Sequence, residues 1–210
     1  GADPRAMSHS WLFTGPPGSG RSLAAIDFAA ALMCTDPEEP GCGRCEACRA
    51  VLETKQHTDL VLVDPQEVII PVDTVREVIG RAASLPTVAS WRVVIFNNAD
   101  RLNNNGANAL LKTVEEPPAR TVIIMCAPSD APEDFSQTLR SRCRHLYIPS
   151  PSVESITAQL VSEGASDHDA HLAALTSLRH VGRARRLVND PAVQKRRAVA
   201  INLAEEVFHG

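Results

Sequence analysis

Aromatic residues are scarce, with five Phe, two Trp and one Tyr in 210 residues. That is too few rings for a base-stacking platform that would hold single-stranded nucleic acid. Positive charge is not in excess either: 21 Lys and Arg face 25 Asp and Glu, for a net charge of -4. A broad phosphate-binding surface is thereby excluded, and any DNA contact must be local or shared with partners. No apolar run approaches the roughly 20 residues of a membrane-spanning helix, no secretory signal is visible at Gly1 to Met7, and there is no internal repeat or low-complexity tract. A chain that is 44% hydrophobic and 22% charged without these features is expected to be a globular, cytoplasmic protein with no membrane partner.

One further absence is local. Trp11 to Ser22 reads WLFTGPPGSGRS, an apolar strand followed by a glycine-rich loop and the start of an alanine-rich helix. Gly15, Gly18 and Gly20 stand where a phosphate-binding loop needs them, so that backbone N–H groups can face a nucleotide, and Ser22 is where a magnesium-binding hydroxyl belongs. The lysine that should precede Ser22 is missing, and Arg21 takes its place. A guanidinium is wider than an ammonium and differently directed, so the loop is expected to be poor at hydrolysis, with nucleotide retention left open. The apolar run Arg92 to Phe96 should end in a carboxylate that orders magnesium and then a glutamate that activates water; the residues there are Asn97 and Asn98. An amide neither neutralises the ion nor accepts the proton. Asp100, a little further on, is expected to cap the next segment.

Four of the six cysteines lie in the pattern Cys34-x7-Cys42-x2-Cys45-x2-Cys48. Four thiolates at this spacing can close a tetrahedron around one structural zinc ion, with Gly41 and Gly43 letting the chain turn and Pro37 and Pro40 stiffening the loop. A redox pair at Cys42 and Cys45 would leave Cys34 and Cys48 without a purpose. Cys126, inside an apolar strand, reads as a small buried hydrophobe.

Strand and helix patterns alternate along the first two thirds of the chain. Strands are expected at Ser10 to Thr14, Thr58 to Asp64, Trp91 to Phe96, Thr121 to Ala127 and Arg144 to Ile148. Helices are expected at Leu23 to Met33, Val72 to Ser84 and Asn103 to Glu115, which together imply an α/β domain with a parallel sheet and ligands at the carboxyl ends of its strands. After Pro149-Ser-Pro151 only helical patterns remain, at Val153 to Glu163, Asp169 to Leu178, Ala184 to Asn189 and Val193 to Val207. The expected domains are thus 1–148, with the cysteine module at about 34–48, and a small helical one at 149–210.

These motifs, together with NALLKTVEEPP at Asn108 to Pro118, SRC at Ser141 to Cys143 and GRAR at Gly182 to Arg185, resemble those of the AAA+ clamp-loader subunits of bacterial DNA polymerase III. The resemblance runs from Trp11 to about Arg185. It implies an AAA+ P-loop sheet with an inserted zinc module and an all-helical lid. It further implies that Arg142 projects as a trans-acting arginine finger into a neighbour's ATP site, and that Arg185 belongs to a second nucleotide sensor. The sensor expected near Ala127 to Ser129 is not assignable, because Pro128 alters the pattern. The losses at Arg21, Asn97 and Asn98 match the member of that family without its own ATPase, a subunit of a DNA-directed DNA polymerase holoenzyme, which is a nucleotidyltransferase assembly. Implied partners are the gamma or tau ATPase subunits, the delta subunit, and, through the complex, the sliding clamp and primer–template DNA. Family members carry a third, collar domain, so the chain is expected to hold the first two.

Two other readings stand beside this one. In the first, Arg21 replaces the lysine and Asp100 the metal ligand of a working ATPase, which would still need a carboxylate near the attacking water. In the second, the cysteine module belongs to a zinc-ribbon nucleic-acid binder, against which stand the acidic charge and the few aromatics.

Overall fold

The five apolar runs become strands because their aliphatic and β-branched residues are buried on both sides, the requirement of a parallel sheet covered by helices. A computed structural model describes residues 8–196 and 199 of the chain. Its strands are β1 (Ser10–Thr14), β2 (Leu60–Val63), β3 (Arg92–Phe96), β4 (Thr121–Ala127) and β5 (Arg144–Tyr147). All pair in parallel, in the order β2-β3-β4-β1-β5. The parallel α/β sheet expected from the alternation is the one observed.

Helix α1 (Arg21–Met33) is followed by a short α2 (Glu46–Arg49) that runs into a π-helical turn at Ala50–Thr54. Then come α3 (Val72–Ala82), a 3-10 turn at Ala99–Arg101, α4 (Asn104–Glu115) and α5 (Gln137–Arg140). Alternate residues of β3 and β4 serve the two faces. Val93, Ile95, Val122, Ile124 and Cys126 pack with Ile26, Ala29, Met33 and Val51 beneath α1 and the cysteine module. Val94, Phe96, Ile123, Met125 and Ala127 pack with Val75, Val78, Leu110 and Leu139 beneath α3, α4 and α5. Cys126 is fully buried, as expected, and burial pushes its thiol up to about 12.

Chain contacts divide the described residues into two units, one holding residues up to Gly15 with Arg21–Ile148, the other Pro16–Gly20 with the residues from Pro149 onward. In the second unit α6 (Val153–Ser162), α7 (Asp167–Thr176) and α8 (Val181–Asn189) close a small core of Ile156, Leu160, Ala170, Ala173, Ala174 and Ala184. Its helix ends follow capping chemistry. Ser152 and Ser166 accept from the backbone N–H groups of Ser155 and Asp169, and Gly164 at φ 102° ends α6, its N–H donating to the Val161 carbonyl and that of Ala165 to the Leu160 carbonyl. The serine cap moves α7 two residues earlier than its apolar pattern suggests, and His180, accepting from Arg183 N–H, starts α8 at Val181 rather than Ala184. The helix expected at Val193 to Val207 lies mostly outside the described residues, which are helical at 191–196. Among the described residues no helix is long and apolar enough to cross a membrane.

Two expected elements are shorter than their apolar patterns. β2 starts at Leu60 because Asp59 is occupied: its fully buried carboxylate accepts from the N–H groups of Thr87, Val88 and Ala89 at 2.8, 2.8 and 2.9 Å and from Arg92 Nη2 at 3.0 Å. Arg92 in turn donates Nη1 to the carbonyls of Arg81 and Ser84, so α3 stops at Ala82 and the chain turns into β3. Although desolvation opposes ionisation of Asp59, the three N–H donors and Arg92 outweigh it and hold the carboxyl at about 2.

Asp59→Ala is therefore expected to destabilise the chain by about 3–5 kcal/mol in chemical denaturation, since it strands a buried guanidinium. Because the folded-state pKa lies below the unfolded one, this contribution is present above about pH 4 and fades as pH falls towards 2. A loss below about 1 kcal/mol at neutral pH would show that the pair is dispensable.

Candidate functional site

The glycine-rich loop leaves β1 at Thr14 and enters α1 at Arg21. Gly15 N–H donates to the Pro128 carbonyl at 3.2 Å, tying the loop's start to the chain just past β4, and Ser19 N–H donates to the Pro16 carbonyl at 3.0 Å. Gly18 and Gly20 adopt φ of 86° and 91°, which a residue with a Cβ would resist. Arg21 does not extend as a P-loop lysine would. Its side chain is buried, and Nη1 returns to the Gly15 carbonyl at 2.7 Å. Part of its donor capacity is spent on the loop's own backbone.

At the end of β3, Asn97 N–H donates to the Val63 carbonyl at 2.8 Å, and Asn98 takes a left-handed conformation at φ 51° that starts the 3-10 turn. Asn98 accepts that turn's first bond, from Arg101 N–H, through its backbone carbonyl. Asp100 lies inside the turn and does not cap the helix after it. Asn103 does, accepting from Gly106 N–H at 2.9 Å, because it alone sits at the entry to α4 in an extended conformation. Three buried polar atoms near these turns, Ser19 Oγ, Arg21 Nε and Asn97 Oδ1, have no partner among the described residues. Ser22 lies in the first turn of α1.

The four cysteines meet at the end of α1. Their sulfurs all lie within 4.8 Å of one another, with Cys34 Sγ at 3.6 Å from Cys42 Sγ and 3.9 Å from Cys45 Sγ. Gly41 and Gly43 reverse the chain at φ of 82° and 71°, and Cys45 caps α2, its sulfur receiving Cys48 N–H at 3.4 Å. Backbone N–H groups also face Cys34 Sγ from Asp36 and Cys42 Sγ from Cys45. Such donors favour thiolates: hydrogen bonds from Thr35 and then Cys48 bring Cys45 down to about 5, whereas burial pushes Cys48 up to about 12. The cluster could hold a metal ion, and its one buried member, Cys48, joins the core beneath α1 with the neighbouring Ala47 and Val51. An exposed Arg44 bridges Asp36 and Glu39, both at 2.9 Å, across the module's outer loop.

A third cluster surrounds the SRC segment. Leu139 and Cys143 are buried in the core beneath α4, which turns Arg140, Arg142 and Arg144 outward to three different anchors. Arg140 Nε meets Asp130 at 2.9 Å while its Nη2 lies 3.2 Å from His145 Nδ1. A guanidinium only donates, so that nitrogen of His145 is the acceptor, and the ring's other nitrogen carries the proton towards Thr14 Oγ1 at 2.5 Å. Arg144 lies 5.1 Å above the Trp11 ring. Arg142 Nε donates to Glu115 at 2.5 Å, and its Nη1 to the Thr138 carbonyl at 2.8 Å and Ser141 Oγ at 3.1 Å. In the second unit Arg185 is held in a bidentate pair by Glu163, with Nη2 to Oε1 at 2.6 Å and Nε to Oε2 at 2.9 Å. Glu115, Asp130, His145 and Glu163 were not legible as partners of these arginines. Only Glu115 carried a signal, its place in the EEPP run.

A parallel sheet ordered β2-β3-β4-β1-β5, with a glycine-rich loop between the interior strand β1 and the next helix, defines an AAA+ fold. Residues 2–152 match the profile of the family described as DNA polymerase III, delta subunit, and the chain belongs to that family. It is 35% identical over 165 residues to the DNA polymerase III subunit delta' of Pseudomonas aeruginosa, a match covering 75% of this chain and 49% of that one. To the delta' subunit of Escherichia coli it is 34% identical over 170 residues, covering 80% and 50%. These matches place it with the delta-prime subunits of the clamp loader. The chain spans about half the length of the curated relatives it matches. A DNA polymerase III gamma subunit-related protein of Thermotoga maritima has the same fold, with a TM-score of 0.56 at 19% identity over 89% of this chain and 56% of that one.

Cobalt(II) titrated into metal-free protein under reducing conditions should bind one equivalent per chain and develop thiolate-to-metal absorption. Cys42→Ser and Cys45→Ser should each abolish that band or weaken affinity by a factor of about 10 or more. An unchanged band in both variants would remove these sulfurs from the site.

Proposed function

We propose that this chain is a subunit of the bacterial clamp loader that hydrolyses no ATP itself and supports ATP-driven loading of the sliding clamp onto primed DNA. The observation that carries the reading is Arg21, whose Nη1 returns to the Gly15 carbonyl at 2.7 Å where a catalytic loop would extend a lysine to the phosphates. Asn97 and Asn98 in place of the metal ligand and the base support it. Losing both charges removes the means of ordering magnesium and activating water, which is worth several kcal/mol of transition-state stabilisation.

In this reading the chain's contribution to chemistry is made in trans. Arg142, exposed on the turn after α5, enters the site of an adjacent gamma or tau subunit and meets charge developing on the γ-phosphoryl group. The cysteine cluster holds a structural zinc. Sulfurs around zinc at about 2.3 Å lie roughly 3.8 Å apart, close to the distances at Cys34, and four protein ligands leave no open position for catalysis. The sheet at 1–148 is the core domain and the helices from 149 onward its lid, where Arg185 keeps a structural pair with Glu163. Delta, the clamp and primer–template DNA are the further partners, and the setting is cytoplasmic.

Isolated protein should show no ATP hydrolysis above a catalytically dead control. Asn97→Asp with Asn98→Glu should remain inactive while Arg21 is present. Magnesium-dependent turnover abolished by Ser22→Ala would reverse this reading.

Arg142→Ala, in the protein assembled with its partner subunits, should assemble normally and reduce clamp loading by roughly tenfold or more. Arg76→Ala is the suitable charge control, because among the described residues Arg76 pairs only with the exposed Asp73 of its own helix, whereas Arg140 and Arg144 have anchoring contacts. Equal loading by Arg142→Ala and Arg76→Ala would refute a finger role.

A further inference from the structure

Arg142 does not project as a free side chain. Of its five N–H donors, three are used within its own chain: Nε by Glu115, and the two of Nη1 by the Thr138 carbonyl and Ser141 Oγ. Among the described residues nothing receives Nη2, and the side chain stays about one third exposed, at 36%. The guanidinium is thus gripped at Nε and Nη1, with Nη2 left over.

Glu115 supplies the charged part of that grip from an unfavourable place. It is the last residue of α4, where the helix dipole is negative and a carboxylate is disfavoured. Lys112, the basic residue of that last turn, is not its partner; Arg142, 27 residues away in sequence, is. Thr138 and Ser141 belong to the same turn as Arg142 and move with it. Glu115 belongs to a separate helix packed in the core through Leu110 and Val114, so it alone references the guanidinium to the sheet domain.

We propose that Glu115 is the positioning residue for Arg142, holding Nε so that only the Nη2 nitrogen is presented to a phosphoryl oxygen of a nucleoside triphosphate bound by an adjacent subunit. This rests on the trans role given above to Arg142. An arginine already held in one rotamer loses less freedom when it engages, so the grip favours turnover rather than nucleotide binding. It also limits the contact to one nitrogen, unlike the bidentate fork that a free guanidinium offers.

The test is a double-mutant cycle in the assembled complex, reading kcat and KM for ATP during clamp loading. Glu115→Ala should lower kcat about three- to fivefold, less than Arg142→Ala, with KM and the amount of assembled complex unchanged. Glu115→Gln, whose amide oxygen can still accept from Nε, should recover most of the loss. Glu115→Ala added to Arg142→Ala should cost nothing further. If Arg142→Ala is impaired but Glu115→Ala matches the parent, or if Glu115→Ala costs the same with and without Arg142, the positioning role is overturned and the finger stands. If Arg142→Ala itself loads normally, both fall together. Removing a carboxylate from a helix C-terminus does not weaken the helix, so Glu115→Ala is expected to fold, and its thermal midpoint checks this.

Discussion

Strand β4 is seven residues long and every one is buried, and this constraint shapes the sheet domain. A strand covered on both faces cannot carry exposed polar chemistry along its length, so the polar work moves to the strand ends. At the amino ends the Asp59–Arg92 pair gathers the start of β2, the loop before β3 and the end of α3 into one hydrogen-bonded knot. At the carboxyl ends lie the glycine-rich loop, the two asparagines after β3 and the Pro128 carbonyl. The amino ends are locked in hydrogen bonds, while the carboxyl ends run into turns with buried polar atoms left without a partner among the described residues.

The glycine-rich loop is turned by glycines at positive φ, and the side chain of Arg21 folds back onto its backbone. Gly18 and Gly20 adopt a positive φ that costs extra conformational entropy on folding, and at Gly18 a Cβ would also run into His180. Arg21 meanwhile spends a donor on Gly15 and leaves Nε unsatisfied, and Asn97 leaves Oδ1 unsatisfied. Unpaired buried atoms cost about 1–3 kcal/mol each.

What the sequence made legible follows from period and spacing. β1 and β4 have the expected bounds to the residue, since each is an apolar run set between turn formers, and the cysteine cluster follows from spacing that only sulfur chemistry explains. Partners distant in sequence were not legible. Asp59 and Arg92 are 33 residues apart, Glu115 and Arg142 are 27, and Arg185 and Glu163 are 22. No periodicity links such pairs, and each half alone looks like a surface charge. Helix α2, the π-helical turn after it and α5 were missed for another reason: at 4, 5 and 4 residues they are too short for a helical period to show.

The arginine turn joins these threads. Leu139 and Cys143 sink into the core and leave three arginines that each report on a different element: Arg140 on the loop after β4 through Asp130, Arg142 on α4 through Glu115, and Arg144 on β1 through Trp11. Each contact is modest alone, since a partly exposed ion pair is worth no more than about 1 kcal/mol and a cation over an aromatic ring about the same. Three of them along five residues fix an orientation rather than add much stability. The Arg140–His145 bond extends the turn's reach to Thr14, the last residue before the glycine-rich loop. The arginine turn and the glycine-rich loop are therefore referenced to the same strand, β1, through Trp11 and Thr14.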